Sequence, residues 1–298
     1  MSGLSKEYRQ RIVKAIRENT FRFRTNKQHA ISLGINQAQF SRILNNELDN
    51  VISDSKWQHV ASKYNVPVTM EAFHWKPAYT AVWHAIKNQL ETCQQLSMSA
   101  IFCDISDIGK SFTAKQYVST HRNAILVDCS LHKSRTDLLK AMAKEFGIFE
   151  GGTLSKIQKD LIQYMKSMTT PLVILDEFGD LTYPAFLEVK ALWNATENRC
   201  GWYMMGADGL AVKLDRNRYN KKVGYAEIFS RLGSRYQRVT PSNEHDRAKF
   251  LLHEIGEIVK ANKSKYSAKE MYAKTNGSLR RVYIEILKEK NNITPVAA

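Results

Sequence analysis

Cysteines and long apolar runs are scarce in this 298-residue sequence. Its four cysteines lie far apart and form no Cys-x-x-Cys pair, which excludes a disulfide framework; they are Cys93, Cys103, Cys129 and Cys200. Cys103 and Cys129 fall in apolar, strand-like runs, so we expect buried thiols in a reducing cytoplasm. No apolar stretch is long enough to span a bilayer, and the first residues lack a signal-peptide core. The sequence therefore predicts a cytoplasmic protein without membrane contact.

Acidic residues are also scarce relative to basic ones. The chain has 44 lysines and arginines against 29 acidic residues, which gives a formal charge of +15 and a pI near 9.6. Such an excess indicates a polyanionic partner, and nucleic acid is the first candidate. At this length the chain can bury a large core, and one large domain with a smaller one is the natural division.

A strand, a loop and a helix surround Gly109-Lys110-Ser111 and predict a phosphate-binding loop. The apolar run Ser99–Cys103 precedes this loop. Backbone N–H groups of such a loop and of the following helix N-terminus bind phosphate oxygens, while the lysine reaches the terminal phosphates. The predicted nucleotide contacts are Asp104, Ile105, Ser106, Asp107, Ile108, Gly109, Lys110, Ser111 and Phe112. A chance match is the alternative, because Gly-Lys-Ser alone occurs in many unrelated proteins.

A second apolar run, at 172–175, ends on Asp176-Glu177. At the carboxyl end of a buried strand, Asp176 would hold Mg²⁺ from the side opposite Ser111, and Glu177 would polarise water. An ordinary buried strand capped by acids is the alternative. The position of this run downstream of the loop favours a single site for ATP and Mg²⁺.

Two residues depart from the usual phosphate loop. Asp104 replaces its first glycine, and Asp107 stands where a glycine or small residue is commoner. Aspartate tolerates a left-handed backbone, but a carboxylate aimed at a triphosphate would repel it. We therefore expect both side chains to point away; otherwise the site binds weakly. Slow or partner-dependent hydrolysis, or an inactive nucleotide switch, would be consistent with these departures. Asp208 is the candidate for a polar first sensor, out of the expected register.

The N-terminal region has the apolar pattern of a helix-turn-helix. The pattern has a small residue where two helices cross, a glycine in the tight turn and apolar residues that hold the second helix. Its residues are Ala30, Leu33, Gly34, Ile35, Phe40 and Ile43. Residues 36–45 would form the recognition helix. Its exposed side chains suit base edges and phosphates: Gln37, Gln39, Ser41, Arg42 and Asn45. A plain helical hairpin with a glycine turn is the alternative.

Residues 213–222 are basic and lack periodicity, which predicts an exposed loop. If DNA is the partner, this segment is the best supply of cations, together with two residues that follow the apolar run at 124–127. The predicted DNA contacts are Lys133, Arg135, Lys213, Arg216, Arg218, Tyr219, Lys221 and Lys222. A solvated face is the usual alternative for such a run.

The chain is predicted to be an α/β protein with four parts. These are a helix-turn-helix DNA-binding domain at 1–70, a linker with a packing helix at 71–98, a nucleotide-binding domain at 99–240 and a helical lid at 241–298. Strands alternate with helices in the third part, as in a parallel sheet covered on both faces. We predict a last strand at 236–239 and a helix that opens at Ser155. In the packing helix, Tyr79 and Trp83 are predicted to be core residues rather than cofactor contacts.

The order of these motifs resembles the family of phage Mu B-type transposition proteins. After the Asp-Glu strand the order continues with a segment at 229–235 and with Gly277-Ser278-Leu279-Arg280, so the resemblance covers nearly the whole chain. It implies an AAA+ P-loop ATPase whose ATP-bound copies form a homo-oligomer or helical filament on double-stranded DNA and stimulate a partner transposase. Arg280 would be a second sensor of the γ-phosphate. The implied catalytic residues are Lys110, Asp176, Glu177, Arg231, Arg235 and Arg280.

Two other functions stay open at this stage. One is an AAA+ ATPase that loads a helicase or initiator, and the other is an ATP-switched helix-turn-helix transcription regulator.

Arg231 or Arg235 would be the arginine finger that the resemblance implies, inserted into a neighbouring subunit's site, where it neutralises charge on the transferred phosphoryl group. A surface ion pair or a DNA contact is the alternative for either arginine.

Overall fold

A parallel sheet forms the centre of the larger domain in the computed structural model, which describes residues 4–68 and 75–291. The strands are β1 Ser99–Cys103, β2 Ala124–Asp128, β3 Leu172–Asp176 and β4 Gly201–Gly206. They pair in the order β1-β4-β3-β2, and β3 and β4 are buried along their whole length. The carboxyl ends of all strands therefore meet at one edge, where ligands bind in open α/β sheets.

Helices cover both faces of this sheet. They are α5 Ala81–Leu96, α6 Lys110–Thr120, α7 Arg135–Glu145, α8 Leu154–Ser167, α9 Tyr183–Ala195, α10 Asp208–Tyr219 and α11 Tyr225–Arg231. Alternate side chains of one strand enter different cores: Ile101 and Cys103 pack with α7 to α9, while Phe102 packs with α5 and α6. This alternation follows from the two-residue period of a strand and fixes the sheet between two apolar layers.

Four helices at the N-terminus have a core of their own. They are α1 Lys6–Asn19, α2 Asn26–Ser32, α3 Gln37–Leu44 and α4 Asp54–Lys63. The apolar pattern predicted for the helix-turn-helix is confirmed: Phe40 and Ile43 are fully buried, and Gly34 adopts φ +67° in the turn. The predicted recognition helix is slightly too long, because Asn36 is the N-cap of α3 and Asn45 is its C-cap.

Three helices at the C-terminal end form the lid. They are α12 Glu244–Ala261, α13 Ala268–Thr275 and α14 Leu279–Lys290. Buried Glu254 ties this lid to α5, because its carboxylate accepts hydrogen bonds from the backbone N–H groups of Ala81 (2.9 Å) and Val82 (3.1 Å). A carboxylate at a helix N-terminus satisfies otherwise orphaned donors.

The N-terminal helices pack against the larger domain through α7 and α8. Lys63 forms an ion pair of 2.9 Å with Glu145, and Arg24 donates to the Ser167 carbonyl at 2.8 Å. Gly147 has φ +70° and lies so close to Gln28 that a Cβ at this position would overlap the Gln28 carbonyl. Glycine is required here for both backbone conformation and space.

Several predicted elements differ in the structure. Residues 213–219 lie in α10 rather than in a loop. The strand predicted at 236–239 is a single bridge between Phe102 and Gln237, and α8 opens at Leu154 with Thr153 as its N-cap. Tyr79 is 65% exposed, so its assignment to the core is wrong. Residues 69–74, which span the predicted boundary between the N-terminal domain and the linker, lie outside the described residues. The domain boundaries stay predictions.

All four cysteines are buried free thiols, as predicted. Over residues 4–68 and 75–291, no helix combines the length and apolarity needed to cross a bilayer.

Candidate nucleotide site and nucleic-acid face

The loop between β1 and α6 has the backbone geometry expected for phosphate binding. Gly109 is the N-cap of α6 with φ +93°, and nothing lies within 4 Å of the place where a Cβ would stand. Asp107 also has a positive φ, +62°. These two residues turn the chain so that Lys110 becomes the first residue of α6. The amide end of a helix thus faces the loop, as an anion site requires.

Lys110 is folded back onto its own loop. Its ammonium donates to the carbonyl oxygens of Asp104 (2.8 Å) and Ile105 (2.6 Å), and the residue is only 7% exposed. Burial lowers the pKa of Lys110, while the charges of Asp104 and Glu177 oppose this shift. The lysine is therefore a cation held in place beside the acidic strand end.

Ser111 and Asp176 are brought together, as the motif predicts. The Ser111 hydroxyl is close enough to the Asp176 carboxylate to oppose the rise of its pKa, and this carboxylate accepts from the backbone N–H of Glu177 at 2.9 Å. Burial raises the pKa of Asp176, and burial together with the Asp176 charge raises that of Glu177. A hydroxyl and a carboxylate are hard oxygen ligands, so the pair fits Mg²⁺ coordinated jointly by protein, phosphate and water.

A cavity of about 800 Å³ opens in front of the loop. It is lined by Ser106, Asp107, Ile108, Gly109, Lys110, Ser111, Phe112, Glu177 and Arg280 together with residues of the linker and lid. Its volume is in the range of small-molecule sites. Trp83 lines this cavity instead of the core, so the core assignment of this side chain is wrong.

The cavity has other lining residues that were not predicted from the sequence. Asn65, Pro67, Trp75 and Pro77 reach the cavity from the end of the N-terminal domain and from the linker. Aromatic and proline residues beside a packing helix are the only local signal that marks this segment.

A second cavity, of about 520 Å³, lies between α4 and α7, and none of the predicted nucleotide contacts lines it.

Asp104 points away from the cavity, as predicted from charge repulsion. Its carboxylate is fully buried and accepts from the backbone N–H groups of Ile105 (2.8 Å), Val239 (2.8 Å) and Thr240 (2.9 Å), and from the Thr240 hydroxyl. Arg238 lies 3.6 Å away. Asp104 thus anchors the residues that follow the bridge at Gln237, namely Val239 and Thr240.

Asp107 lines the cavity, unlike Asp104, and its side chain contacts the lid. Its carboxylate accepts from the Ser278 hydroxyl at 3.0 Å and lies 3.3 Å from Nε of Arg280. Arg280 therefore lines the cavity as a second sensor would, with its guanidinium paired to the loop.

Several predicted site residues lie outside the cavity lining: Asp104, Ile105, Asp176, Asp208, Arg231 and Arg235. Asp208 is exposed at the start of α10, and its charge is one of those that oppose the lowering of the Lys110 pKa. Arg231 and Arg235 are exposed, and the Arg231 guanidinium lies 6.0 Å from the centre of the Trp193 ring. An exposed position away from the protomer's own site is what a finger for a neighbour requires.

The predicted recognition helix presents most of its expected side chains. Gln37, Ser41, Arg42 and Asn45 are exposed. Gln39 is occupied instead: it completes a capping box with Asn36 and donates to the Val51 carbonyl at 3.0 Å.

The predicted basic segment is only partly available to a ligand. Lys213 donates to the carbonyls of Gly179 and Leu181, and Arg135 pairs with buried Glu188 at 2.6 Å. Arg218, Lys222 and Lys133 contact protein groups: Arg218 lies over Phe229, Lys222 over Tyr183, and Lys133 near Asp180. The exposed members of the segment are Arg216, Tyr219, Lys221 and Lys222.

Comparison with known proteins supports the fold. Residues 99–214 match the family model of the AAA domain. No curated protein matches the chain. Among solved structures, the Orc1 protein of Aeropyrum pernix in complex with DNA is similar, with a TM-score of 0.55 and 12% identity over 74% of this chain and 61% of that chain.

The chain therefore covers less than two thirds of the Orc1 chain. At this identity the likeness shows the fold alone. The fold is that of an AAA+ P-loop protein with a parallel sheet, as the sequence predicts, and the sheet has four strands. The finer resemblance to Mu B-type proteins stays a prediction.

Proposed function

We propose that this chain is an ATP-dependent DNA-binding ATPase that assembles on target DNA and directs a partner transposase. The observation that carries the ATPase part is that Lys110, Ser111 and Glu177 line one cavity, with Asp176 beside Ser111 and Glu177. Strong basic charge and an exposed recognition helix support the DNA part. The order of the motifs along the chain supports the transposition part.

The residues divide the chemistry among them. Lys110 and the N–H groups of the loop would bind the phosphates, and Ser111 with Asp176 would hold Mg²⁺. The metal, when bound, neutralises charge on the phosphate oxygens. Glu177 would orient a water molecule and accept its proton; the raised pKa of Glu177 favours this role, because a better base keeps the proton. Arg231 or Arg235 would complete the site of the next subunit.

DNA contact would be largely independent of sequence. Exposed cations at the end of α10, with Arg42 and Gln37 of α3, would grip phosphates. Phosphate contacts fix a protein on a duplex without reading bases. This suits a protein that must accept almost any target.

An AAA+ initiator or helicase loader is the second candidate. The fold likeness to a protein solved in complex with DNA, Orc1, favours it. Such a protein would load a ring on DNA rather than present DNA to a transposase.

Nucleotide uptake is tested by calorimetry with ATP and Mg²⁺. Lys110→Ala should abolish ATP binding and ATP-dependent assembly, whereas Glu177→Gln should bind, assemble on DNA and stay assembled. Lys166→Ala removes the same charge from an exposed position on α8 and should bind as the wild type does. Unchanged ATP affinity and polymer formation in Lys110→Ala would contradict the proposed site.

Footprinting and electron microscopy on random duplex DNA separate the candidate functions. Uniform coverage that requires ATP, with continuous polymers in images, supports target-DNA assembly. Loading of a helicase supports the second candidate. One palindromic footprint independent of polymer formation would replace both with a transcription regulator.

A further inference from the structure

Asp107 joins the phosphate loop to the lid through three contacts. Its carbonyl oxygen accepts from the backbone N–H of Leu279 at 3.1 Å, and its two carboxylate oxygens face Ser278 (3.0 Å) and Arg280 (3.3 Å). All three partners stand at the start of α14. One of the two residues that depart from the usual loop sequence therefore fastens the loop to the lid.

The geometry of Asp107 makes this contact possible. Its φ of +62° lies in the left-handed region, and its side chain contacts the start of α14. Glycine would allow the same turn but supplies no acceptor for Ser278 or Arg280. The carboxylate is one-third exposed, and the Arg280 side chain is 78% exposed, so water can compete for the pair.

Arg280 has one guanidinium for two anions. In the structure it faces the Asp107 carboxylate while it lines the cavity. A bound γ-phosphate would offer three oxygens to the same group, and phosphate pairs strongly with arginine. Binding of the γ-phosphate to Arg280 must therefore break or share the contact with Asp107.

We propose that Asp107 is an intramolecular competitor of the γ-phosphate, which holds Arg280 and the lid on the loop until ATP displaces it. This inference rests on the proposed nucleotide site. It predicts that Asp107 weakens binding of ATP but has little effect on ADP, which has no γ-phosphate for Arg280. Asp107 then sets how well the site distinguishes the two nucleotides.

The test is a double-mutant cycle with Asp107→Asn and Arg280→Ala, followed by calorimetry with ATP and with ADP. Asparagine tolerates the left-handed backbone and removes only the charge. Because the ion pair is exposed, removal of the carboxylate should tighten ATP binding by about two- to five-fold, with a smaller change for ADP. In the Arg280→Ala background the ATP-specific gain should disappear.

Glu18→Gln is the matched control. It removes one negative charge from an exposed ion pair with Lys14 on α1, away from the cavity, and should leave both affinities unchanged. An equal gain for ATP and ADP, or a gain that persists without Arg280, would show direct repulsion of phosphate and overturn the competitor role.

Hydrogen exchange without nucleotide tests the contact independently. Asp107→Gly keeps the backbone turn but removes both acceptor oxygens, so it should speed exchange of the amides at the start of α14. Unchanged exchange in Asp107→Gly overturns the side-chain contact with the lid whatever the nucleotide data show. If the wild type takes up no nucleotide, both the proposed function and the competitor role fail, whereas normal ATP binding with no response to Asp107→Asn overturns the competitor role alone.

Discussion

Restoring a small residue at position 104 should damage this protein rather than improve its phosphate loop. Asp104 stands where such loops usually have glycine, so Asp104→Ala would look like a repair. In the structure, however, its buried carboxylate accepts from four donors on Ile105, Val239 and Thr240. The variant would leave these donors without their acceptor.

The size of the effect follows from the number of donors. A buried donor left without a partner costs about 1–3 kcal/mol, and water that enters the space recovers part of this. Breaking a buried charged network by removal of one partner costs about 3–5 kcal/mol. We therefore expect Asp104→Ala to lower the free energy of unfolding by about 3–5 kcal/mol. Asp104→Asn keeps one acceptor oxygen for part of the set and should lose about half as much.

Urea unfolding followed by circular dichroism measures this loss. Asp49→Ala is the control, because Asp49 is 85% exposed and its ion pair with Arg9 should contribute at most about 1 kcal/mol. The segment 236–240 should also become sensitive to protease in Asp104→Ala, since its anchor is lost. A folded Asp104→Ala variant as stable as the wild type would refute the anchoring role.

Three further predictions concern the site and the N-terminal domain. Burial raises the pKa of Asp176 in the folded protein, so this group stabilises the fold only at low pH, and the stabilisation is lost as the pH rises through the raised pKa. Asp176→Asn should therefore raise the melting temperature at pH 7 without nucleotide. The same variant should abolish Mg²⁺-dependent ATP binding. Burial lowers the pKa of His29 to about 3, so on acidification the unfolded chain binds a proton at this residue before the folded chain does. Circular dichroism should therefore show loss of helix as the pH falls below about 6.5, the usual pKa of histidine. The loss should be smaller in His29→Leu. Gly147→Ala should separate the N-terminal helices from the larger domain, because the new Cβ would overlap Gln28, and X-ray scattering should show a larger radius of gyration. Gly233→Ala is the control: Gly233 has φ +76° and open space around the Cβ position, so this variant has the backbone strain without the overlap.

Local patterns predicted the elements that are stabilised locally. The helix-turn-helix was predictable because Gly34 and the apolar residues around it lie within one short segment. The strand ending at Asp176 was predictable because four buried aliphatic residues precede the acids. Ser111 follows directly from the loop motif, and the two residues meet because parallel strands end at one edge.

The failures come from contacts distant in sequence. The strand predicted at 236–239 is reduced to one bridge because the N–H groups of Val239 and Thr240 bind Asp104 instead of continuing along β1. The loop predicted around Lys213 is a helix because Leu210 and Leu214, one turn apart, are buried under its charged face. The partner of Asp107 lies in the lid, and no local pattern joins the two segments.

Net charge alone overstates the surface available for DNA. Arg135 is held by a buried carboxylate, Lys213 by two carbonyls, and Lys63 and Arg24 by the contact between the domains. A cation already bound to the protein releases few counterions when DNA arrives, because its charge is partly neutralised beforehand. Salt dependence should therefore reflect the exposed cations near Arg216 rather than the formal charge of +15. A basic composition indicates that the partner is nucleic acid, whereas the contacts that each cation makes within the protein determine which surface is available to bind it.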